Sequence, residues 1–308
     1  MDWWVWVAFI AFLVVVISVD LFLFHRGPGS PSMAEAGWWS AIWLALGIGF
    51  SLVVLPWMGG QAAGEYIAGY AIERALSIDN VFVFALLIGF FAVPTGEQHR
   101  VLLWGVVAAL VLRAGFIAGG LALLDAFHWM IYVFGGLLLF TGIRMATHTN
   151  EEVHPEQNPV LRVIRRVVPT TPDYRGRRLA VRDGSRWLAT PLLAVLLAVA
   201  ITDVVFAVDS IPAVFAVTRD PFIVFASNAM AVLGLRALYF LLAGMLSRFR
   251  YLQVGLAVVL VLVGAKMLAS DLLHVPIWAS LLMICAVIGG AIALSLLRPE
   301  REPEPAGA

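Results

Sequence analysis

Two segments of the chain place acidic side chains at the same spacing inside apolar stretches of membrane length. The matched positions, 130 residues apart, are Glu73 with Asp203, Asp79 with Asp209, and Asn80 with Ser210. Ionisable side chains within the hydrocarbon are expensive and typically mark ion or proton pathways. The two segments therefore predict one shared ion site.

The donor atoms available at such a site are all oxygen. The six histidines fall in loops or at span ends, and the single cysteine, Cys285, lies in the last apolar run. Carboxylates, the amides of Asn80 and Asn228, the Ser210 hydroxyl and backbone carbonyls remain as ligands. Such hard donors suit Mg²⁺, Ca²⁺ and Mn²⁺, whereas Zn²⁺ and Cu⁺ favour His or Cys. A hydrogen bond between helices is the alternative role for Asn228.

Two arginines are natural charge partners for these acids. Arg113 and Arg236 lie on the spans that follow the acidic segments. The alternative interpretation is that acid–arginine pairs only hold the bundle together. The acids outnumber these arginines, however, and this leaves a negative charge that a cation could neutralise. Glu65 and Asp20 are secondary site candidates, although Asp20 is equally well explained as a solvated acid at a helix end.

Composition identifies the environment of the site. Hydrophobic residues make up 62% of the 308 residues, charged residues 13%, and the mean hydropathy is +0.94. Soluble domains carry about 25% charged residues. We therefore expect an all-α, polytopic membrane protein with the lipid bilayer as its surroundings. A net charge of zero gives no reason to expect a nucleic-acid partner.

Apolar runs predict about nine transmembrane helices, since about 20 residues span the hydrocarbon core. The predicted spans are 3–24, 38–56, 62–92, 100–124, 127–146, 187–217, 220–246, 251–270 and 276–297.

The two acid-bearing spans are too long for a straight crossing, because about 30 residues of helix measure about 45 Å. Six residues turn an ideal helix by about 600°, which leaves the two acids of each span about 120° apart. Either the helix unwinds between them, or only one acid of each pair faces the ion. Pro212 is expected to interrupt the second span.

Arginine is concentrated on one side of the predicted membrane. The 147–186 loop alone contains eight arginines. The positive-inside rule then places this loop and the C-terminus in the cytoplasm and the N-terminus outside. Topology and contact with anionic lipids explain the basic cluster, and regulation or partner binding is the alternative.

Internal similarity predicts an inverted repeat. Residues 127–145 match 249–267 without a gap, and Leu112-Arg113-Ala114 matches Leu235-Arg236-Ala237. Three crossings in each repeat place the second upside down relative to the first, as in many secondary transporters. The predicted organisation is 1–61 (peripheral helices), 62–146 (first repeat), 147–186 (basic loop), 187–270 (second repeat) and 271–308 (last helix and tail).

Three motifs carry a family resemblance: residues 69–84 around Glu73 and Asp79, residues 206–214 around Asp209, and residues 227–240 from Asn228 to Arg236. They resemble the TerC family of integral membrane proteins, which is historically tied to tellurium resistance. That family includes alkaline-inducible Alx proteins and bacterial manganese exporters, and it resembles LysE-type exporters. The resemblance implies a bacterial inner-membrane location and an association with Mn²⁺ efflux.

The expected function is export of a divalent cation, with Mn²⁺ favoured, through the acidic site at the midplane. A proton is the candidate coupling ion. Oxyanion (tellurite) resistance and a non-transporting role in membrane assembly are the alternatives. We expect neither an enzyme nor a prosthetic group, because no His, Cys or Ser arrangement resembles a nucleophile with its base. The oligomeric state stays open.

Overall fold

The computed structural model describes residues 2–23, 32–147, 171, 174–176, 178–183, 186–243, 251–272 and 275–297. The predicted all-α membrane fold is confirmed. Ten helices occur in the described part of the chain. They are α1 (Trp3–Leu23), α2 (Met33–Gly49), α3 (Ser51–Phe90), α4 (Thr95–Ala126), α5 (Met130–Thr147), α6 (Pro191–Phe215), α7 (Pro221–Leu233), α8 (Leu235–Ala243), α9 (Leu252–Leu268) and α10 (Ile277–Leu297).

Within the described residues, seven stretches are long and apolar enough to cross a membrane. One of them, Met33–Phe90, covers the second predicted span and all but the last two residues of the third. Another, Pro221–Leu241, joins α7 to α8, and α9 is slightly too short to qualify. Each of the nine predicted spans overlaps at least one helix, whereas nine crossings stay a prediction.

Of the two acid-bearing helices, α3 kinks at a position that was not predicted. α3 has 40 residues and kinks at Gly59, where φ is 88° and ψ is 173°. Glycine reaches positive φ without steric cost. The backbone from 73 to 79 stays helical, so the first of the two alternatives, unwinding between the acids, does not occur in α3. The predicted interruption at Pro212 is also wrong, because this proline lies in the last turn of α6 and removes only one donor.

The basic loop contains a small antiparallel hairpin that was not predicted. β1 (Ala180–Asp183) pairs with β2 (Arg186–Ala189), with Val181 opposite Leu188. α6 consequently begins at Pro191 and not at the predicted 187, with proline in its favoured first-turn position. Nearby, the Tyr174 hydroxyl donates to the Phe91 carbonyl at 2.7 Å, and burial raises the pKa of this phenol. Residues 148–170 and the tail after 297 lie outside the described residues.

Helix packing crosses between the two predicted repeats. α3 packs against α7, α4 against α6, and α5 against α9. In the predicted repeat, α3 corresponds to α6, α4 to α7 and α8 together, and α5 to α9. The contact of α3 with α7 then has the contact of α6 with α4 as its counterpart in the other repeat. These contacts bring together α3, α4, α6 and α7, the helices that carry Glu73, Arg113, Asp203 and Asn228.

The α5–α9 crossing shows the same reciprocity at the level of single residues. A Cβ at Gly142 would lie 2.9 Å from the Ala257 carbonyl oxygen, and a Cβ at Gly264 would lie 2.8 Å from the Gly135 carbonyl oxygen. Ala257 and Gly264 follow Gly135 and Gly142 by the 122-residue offset of the repeat. A two-fold relation between the repeats produces such paired contacts, whereas their inverted orientation in the membrane stays a prediction.

Candidate functional site

The guanidinium of Arg113 lies at the centre of a buried polar cluster. Its Nε and Nη2 donate to the two carboxylate oxygens of Asp203 at 3.1 and 3.0 Å. Its Nη1 donates to Glu73, to the Asn228 amide oxygen at 3.1 Å and, at 3.4 Å, to the Ser210 hydroxyl. One cation therefore contacts four of the predicted site residues.

Asn228 completes this cluster, because its amide contacts both a carboxylate and the guanidinium. Its Nδ2 donates to Glu73 at 3.0 Å, while its Oδ1 accepts from Arg113. Glu73, Arg113, Asp203 and Asn228 are each at most 1% exposed. Buried charges are tolerated only when they are paired and hydrogen-bonded, and this network meets that condition for the arginine.

The ionised cluster carries one negative charge in excess. Glu73 and Asp203 are both in ion pairs with Arg113, so two carboxylates share one guanidinium. Charge interactions are several-fold stronger in a protein interior than in water. A proton would neutralise this excess, whereas a divalent cation carries one positive charge more than the excess and would compete with Arg113 for the carboxylates.

Close helix contacts hold the carboxylates in place. A Cβ at Gly69, one turn before Glu73, would lie 2.9 Å from the hydroxyl of Ser227, the neighbour of Asn228. A Cβ at Gly105 on α4 would likewise lie 2.9 Å from Val199, one turn before Asp203. Glycine thus permits the close approach of α3 to α7 and of α4 to α6, at the level where the polar side chains meet.

The remaining acids of the two matched segments differ from the central pair. Asp209 is half-buried, and its Oδ1 accepts from the Thr141 hydroxyl of α5 at 3.0 Å. This places it with α5 and not with Arg113, as the 120° separation along α6 indicates. The side chain of Asp79 lies outside the described part.

Asn80 and Ser77 are buried, and their Nδ2 and Oγ atoms have no hydrogen-bond partner within the described residues.

Arg236 is buried on α8, and Asp20 of α1 is one of its partners: Nη2 lies 2.8 Å from the Asp20 carboxylate and 2.7 Å from its backbone carbonyl. The predicted pairing of Arg236 with the acids of the two matched segments stays a prediction. Asp20 is only 7% exposed, so its interpretation as a solvated helix-end acid is wrong.

Glu65 lies apart from the central cluster, at a polar cavity of about 490 Å³. Its carboxylate accepts from Thr218 at 2.6 Å and from Gln61 at 3.1 Å. Lys266 lines the same cavity and donates to Ser280 at 2.9 Å. Glu65 precedes Glu73 by two turns of α3, and residues 215–220 at the α6–α7 connection line the cavity, whereas the residues of the central cluster do not.

Among the described residues, no three His, Cys, Asp or Glu side chains group closely enough to hold a metal by themselves. A cation at the central cluster would instead combine two carboxylates with the Asn228 amide oxygen and the Ser210 hydroxyl. These are the hard oxygen donors that Mg²⁺, Ca²⁺ and Mn²⁺ use.

Comparison with known proteins assigns the chain to a family. The model of the integral membrane protein TerC family matches residues 58–302. The chain belongs to the TerC family. A relative from Myxococcus xanthus, "Uncharacterized membrane protein STKORF319", is 45% identical over 298 residues, covering 97% of this chain and 93% of the relative.

Two other TerC relatives carry the name "Putative membrane-bound redox modulator Alx". The protein from Salmonella typhi is 43% identical over 302 residues, covering 95% of this chain and 92% of the relative. The protein from Escherichia coli K12 is 42% identical over 292 residues, covering 92% and 91%. No solved structure matches the chain. A multi-pass membrane location follows from the family.

Two contacts of this TerC chain were not predicted. Thr141 was not singled out, although a hydroxyl within an apolar span is a recognisable signal for a partner to a buried acid. Arg74, the neighbour of Glu73, was not singled out either, and its Nη1 donates to the Ala231 carbonyl at 3.0 Å. It thereby satisfies an acceptor in the last turn of α7, where a helix leaves carbonyls without intrahelical partners.

Proposed function

We propose that this TerC protein exports divalent metal cations, with Mn²⁺ as the favoured substrate, and that the ion binds between Glu73 and Asp203. The observation that supports this most is the charge of the central cluster: two buried carboxylates face one arginine. The surplus negative charge favours binding of a cation, and the candidate metal ligands of the cluster are all oxygen atoms.

Arg113 acts in this proposal as a tethered cation that occupies the carboxylates when no ion is bound. An arriving ion competes with the guanidinium for Glu73 and Asp203, so the ion is bound less tightly than at bare carboxylates. Transport requires such a balance, since an ion must leave the site as well as enter it. Protonation of a carboxylate would favour release and is the proposed means of coupling to a proton gradient.

The alternative functions have less support. An oxyanion would need free arginine donors, but the Nε and both Nη atoms of Arg113 donate to groups of the cluster. The name of the Alx relatives includes a redox role. Direct thiol–disulfide chemistry would need a thiol from a second molecule, because this chain has one cysteine. We propose that any effect on redox state follows from metal homeostasis, and that the protein is not an enzyme.

The test is metal-resolved efflux from vesicles that contain the purified protein, with and without a pH gradient. Glu73→Gln and Asp203→Asn should each lower Mn²⁺ transport about tenfold or more, because losing a hydrogen bond to a charged group costs roughly 1.5–3 kcal/mol. Asp125→Asn is the matched control, since Asp125 lies exposed at the end of α4. Wild-type rates in both buried variants would show that the cluster only holds the bundle together.

A further inference from the structure

One face of α3 carries a row of buried polar side chains that begins at the central cluster. Glu73, Ser77 and Asn80 share this face, because steps of four and three residues return an α-helix to nearly the same side. The helix kinks at Gly59 and stays regular through all three positions. Glu73 and Ser77 are fully buried, and Asn80 is 2% exposed. The row therefore extends the polar cluster by two helical turns, about 10 Å along α3.

The matching face of α6 points into the centre of the bundle. Ser210 follows Asp203 by seven residues, as Asn80 follows Glu73, and the two positions match in the repeat. The Ser210 hydroxyl lies 3.4 Å from the Arg113 Nη1 that donates to it. A side chain seven residues beyond the acid thus reaches the polar centre from α6. The burial of Asn80 agrees with the same inward direction on α3.

Ser77 and Asn80 differ from the central cluster because they have polar atoms without partners. Within the described residues, neither Oγ of Ser77 nor Nδ2 of Asn80 has a hydrogen-bond partner. Buried polar atoms are nearly always hydrogen-bonded, either to protein or to ordered water. Two such atoms three residues apart on one face indicate a place that water occupies.

The spacing along the face fits bridging water. Side chains three and four residues apart on a helix have Cβ atoms about 5–6 Å apart. That separation is too long for a direct hydrogen bond of about 2.8 Å, whereas one water that bonds on either side spans it. Water can therefore connect the Glu73 carboxylate to Ser77, and Ser77 to Asn80.

The row leads from the central pair toward the basic loop. Tyr174 of that loop donates to the Phe91 carbonyl at 2.7 Å, at the C-terminal end of α3. Ser77 and Asn80 lie between Glu73 and this end of the helix. The polar cavity at Glu65 lies beyond Glu73 in the opposite direction along α3. Polar groups thus adjoin the helix on both sides of the central pair.

We propose that Ser77 and Asn80 line a hydrated passage through which the metal ion moves between the side of the basic loop and the Glu73–Asp203 pair. Divalent cations such as Mg²⁺ lose their hydration shell reluctantly, and water held by the two side chains keeps the ion partly hydrated until the carboxylates bind it. The side chains are enclosed in this structure, so the passage opens when the helices move, as alternating access requires. This inference rests on the proposed function and deepens it, because it names the side from which the central site is reached.

Thiol labelling tests the passage without a transport measurement. The variant is Ser77→Cys in a Cys285→Ser background, and the matched control is Ala75→Cys, which lies two residues away in the hydrophobic core. The probe is aminoethyl methanethiosulfonate, a small cationic thiol reagent, added to one side of oriented vesicles at a time. Ser77→Cys should react faster from the side of the basic loop than from the opposite side, and Ala75→Cys should react from neither. Any other order of rates for Ser77→Cys, or equal labelling of Ala75→Cys, would overturn the passage.

Substitutions at Asn80 test the route during transport. Asn80→Leu nearly keeps the volume of the side chain but removes its polar atoms, and it should lower the Mn²⁺ transport rate roughly tenfold or more, because apolar constrictions lose their water. The Mn²⁺-dependent rise in Tm should persist, since the ion still binds at Glu73 and Asp203. Asn80→Ser should retain most of the transport, because a hydroxyl also bonds to water and serine is the residue at the matched position 210.

Ser40→Ala is the control for these variants, because it removes a buried hydroxyl that is likewise unpaired within the described residues but belongs to α2. It should leave transport unchanged. Wild-type transport by Asn80→Leu would overturn the passage. Loss of the Mn²⁺-dependent rise in Asn80→Leu would make Asn80 part of the binding site and overturn its assignment to the route.

The proposed function and the passage fail in different ways. If the wild-type protein neither transports nor binds Mn²⁺, the function is wrong, and a metal passage falls with it. If the wild-type protein transports Mn²⁺ and Ser77→Cys does not react from the side of the basic loop, the function stands and only the passage is wrong.

Discussion

Arg113 holds Asp203 with two parallel hydrogen bonds, from Nε to Oδ2 at 3.1 Å and from Nη2 to Oδ1 at 3.0 Å. Only the planar guanidinium can make this two-point contact and still direct its third nitrogen at Glu73. The geometry thus couples Glu73 of α3 to Asp203 of α6 through a single side chain.

Arg113→Gln should destabilise the protein by about 3–5 kcal/mol, because it leaves two buried carboxylates without their cation. Arg113→Lys should retain part of that stability but lose transport, since an ammonium cannot bind Asp203 at two points while reaching Glu73. Thermal unfolding in detergent and vesicle efflux provide the two measurements. A glutamine variant as stable as the wild type would contradict the charge assignment of the cluster.

Removal of Mn²⁺ should lower the free energy of unfolding by the amount that Mn²⁺ binding contributes to it. At Mn²⁺ concentrations near 100 times Kd, binding to the folded protein adds about 2.7 kcal/mol, and a chelator should abolish this gain. Glu73→Gln and Asp203→Asn should remove the Mn²⁺-dependent rise in Tm. Glu65→Gln tests whether the separate polar cavity contributes, and we expect it to keep most of the rise. A rise that persists in both central variants would place the ion elsewhere.

The α5–α9 crossing should depend on the absence of a side chain at Gly264. Gly264→Ala would place a Cβ 2.8 Å from the Gly135 carbonyl oxygen and from the Leu139 amide nitrogen, so the helices must move apart. Overpacking of this kind costs about 1–3 kcal/mol.

Gly136→Ala is the matched control for that crossing, because a Cβ there would meet nothing within 4 Å. Thermal unfolding of the two variants side by side checks the prediction. Equal melting temperatures would show that the helices approach less closely than the structure has them.

Much of the site follows from sequence, and the exceptions have physical reasons. Glu73, Asp203, Arg113 and Asn228 were predicted because polar side chains are rare in membrane spans and because the repeat aligned them. The contact of Arg236 with Asp20 could not be predicted in this way, because α1 lies outside both predicted repeats and only the tertiary fold brings it to Arg236.

The positions of the bends show the same limit. The length of both acid-bearing spans argued against a straight crossing, and Pro212 was expected to interrupt the second span, but the sequence does not locate the bend. In α3 the kink is at Gly59 and the helix stays regular through Gly64 and Gly69. The close contact of Gly69 with Ser227 shows that this glycine serves helix packing and not backbone bending.

The Thr141 hydroxyl should stabilise the Asp209 carboxylate and should contribute little to ion binding at Glu73 and Asp203. Thr141→Val keeps the shape of the side chain but removes the hydroxyl that donates to Asp209 at 3.0 Å. Loss of a partner to a partly buried carboxylate should cost roughly 1–3 kcal/mol of stability, whereas Thr141→Ser should restore most of it. The Mn²⁺-dependent rise in Tm should persist in Thr141→Val, because Asp209 has no described contact with Arg113. If the rise disappears in Thr141→Val and returns in Thr141→Ser, Asp209 belongs to the ion site after all, and the ion contacts both acids of α6.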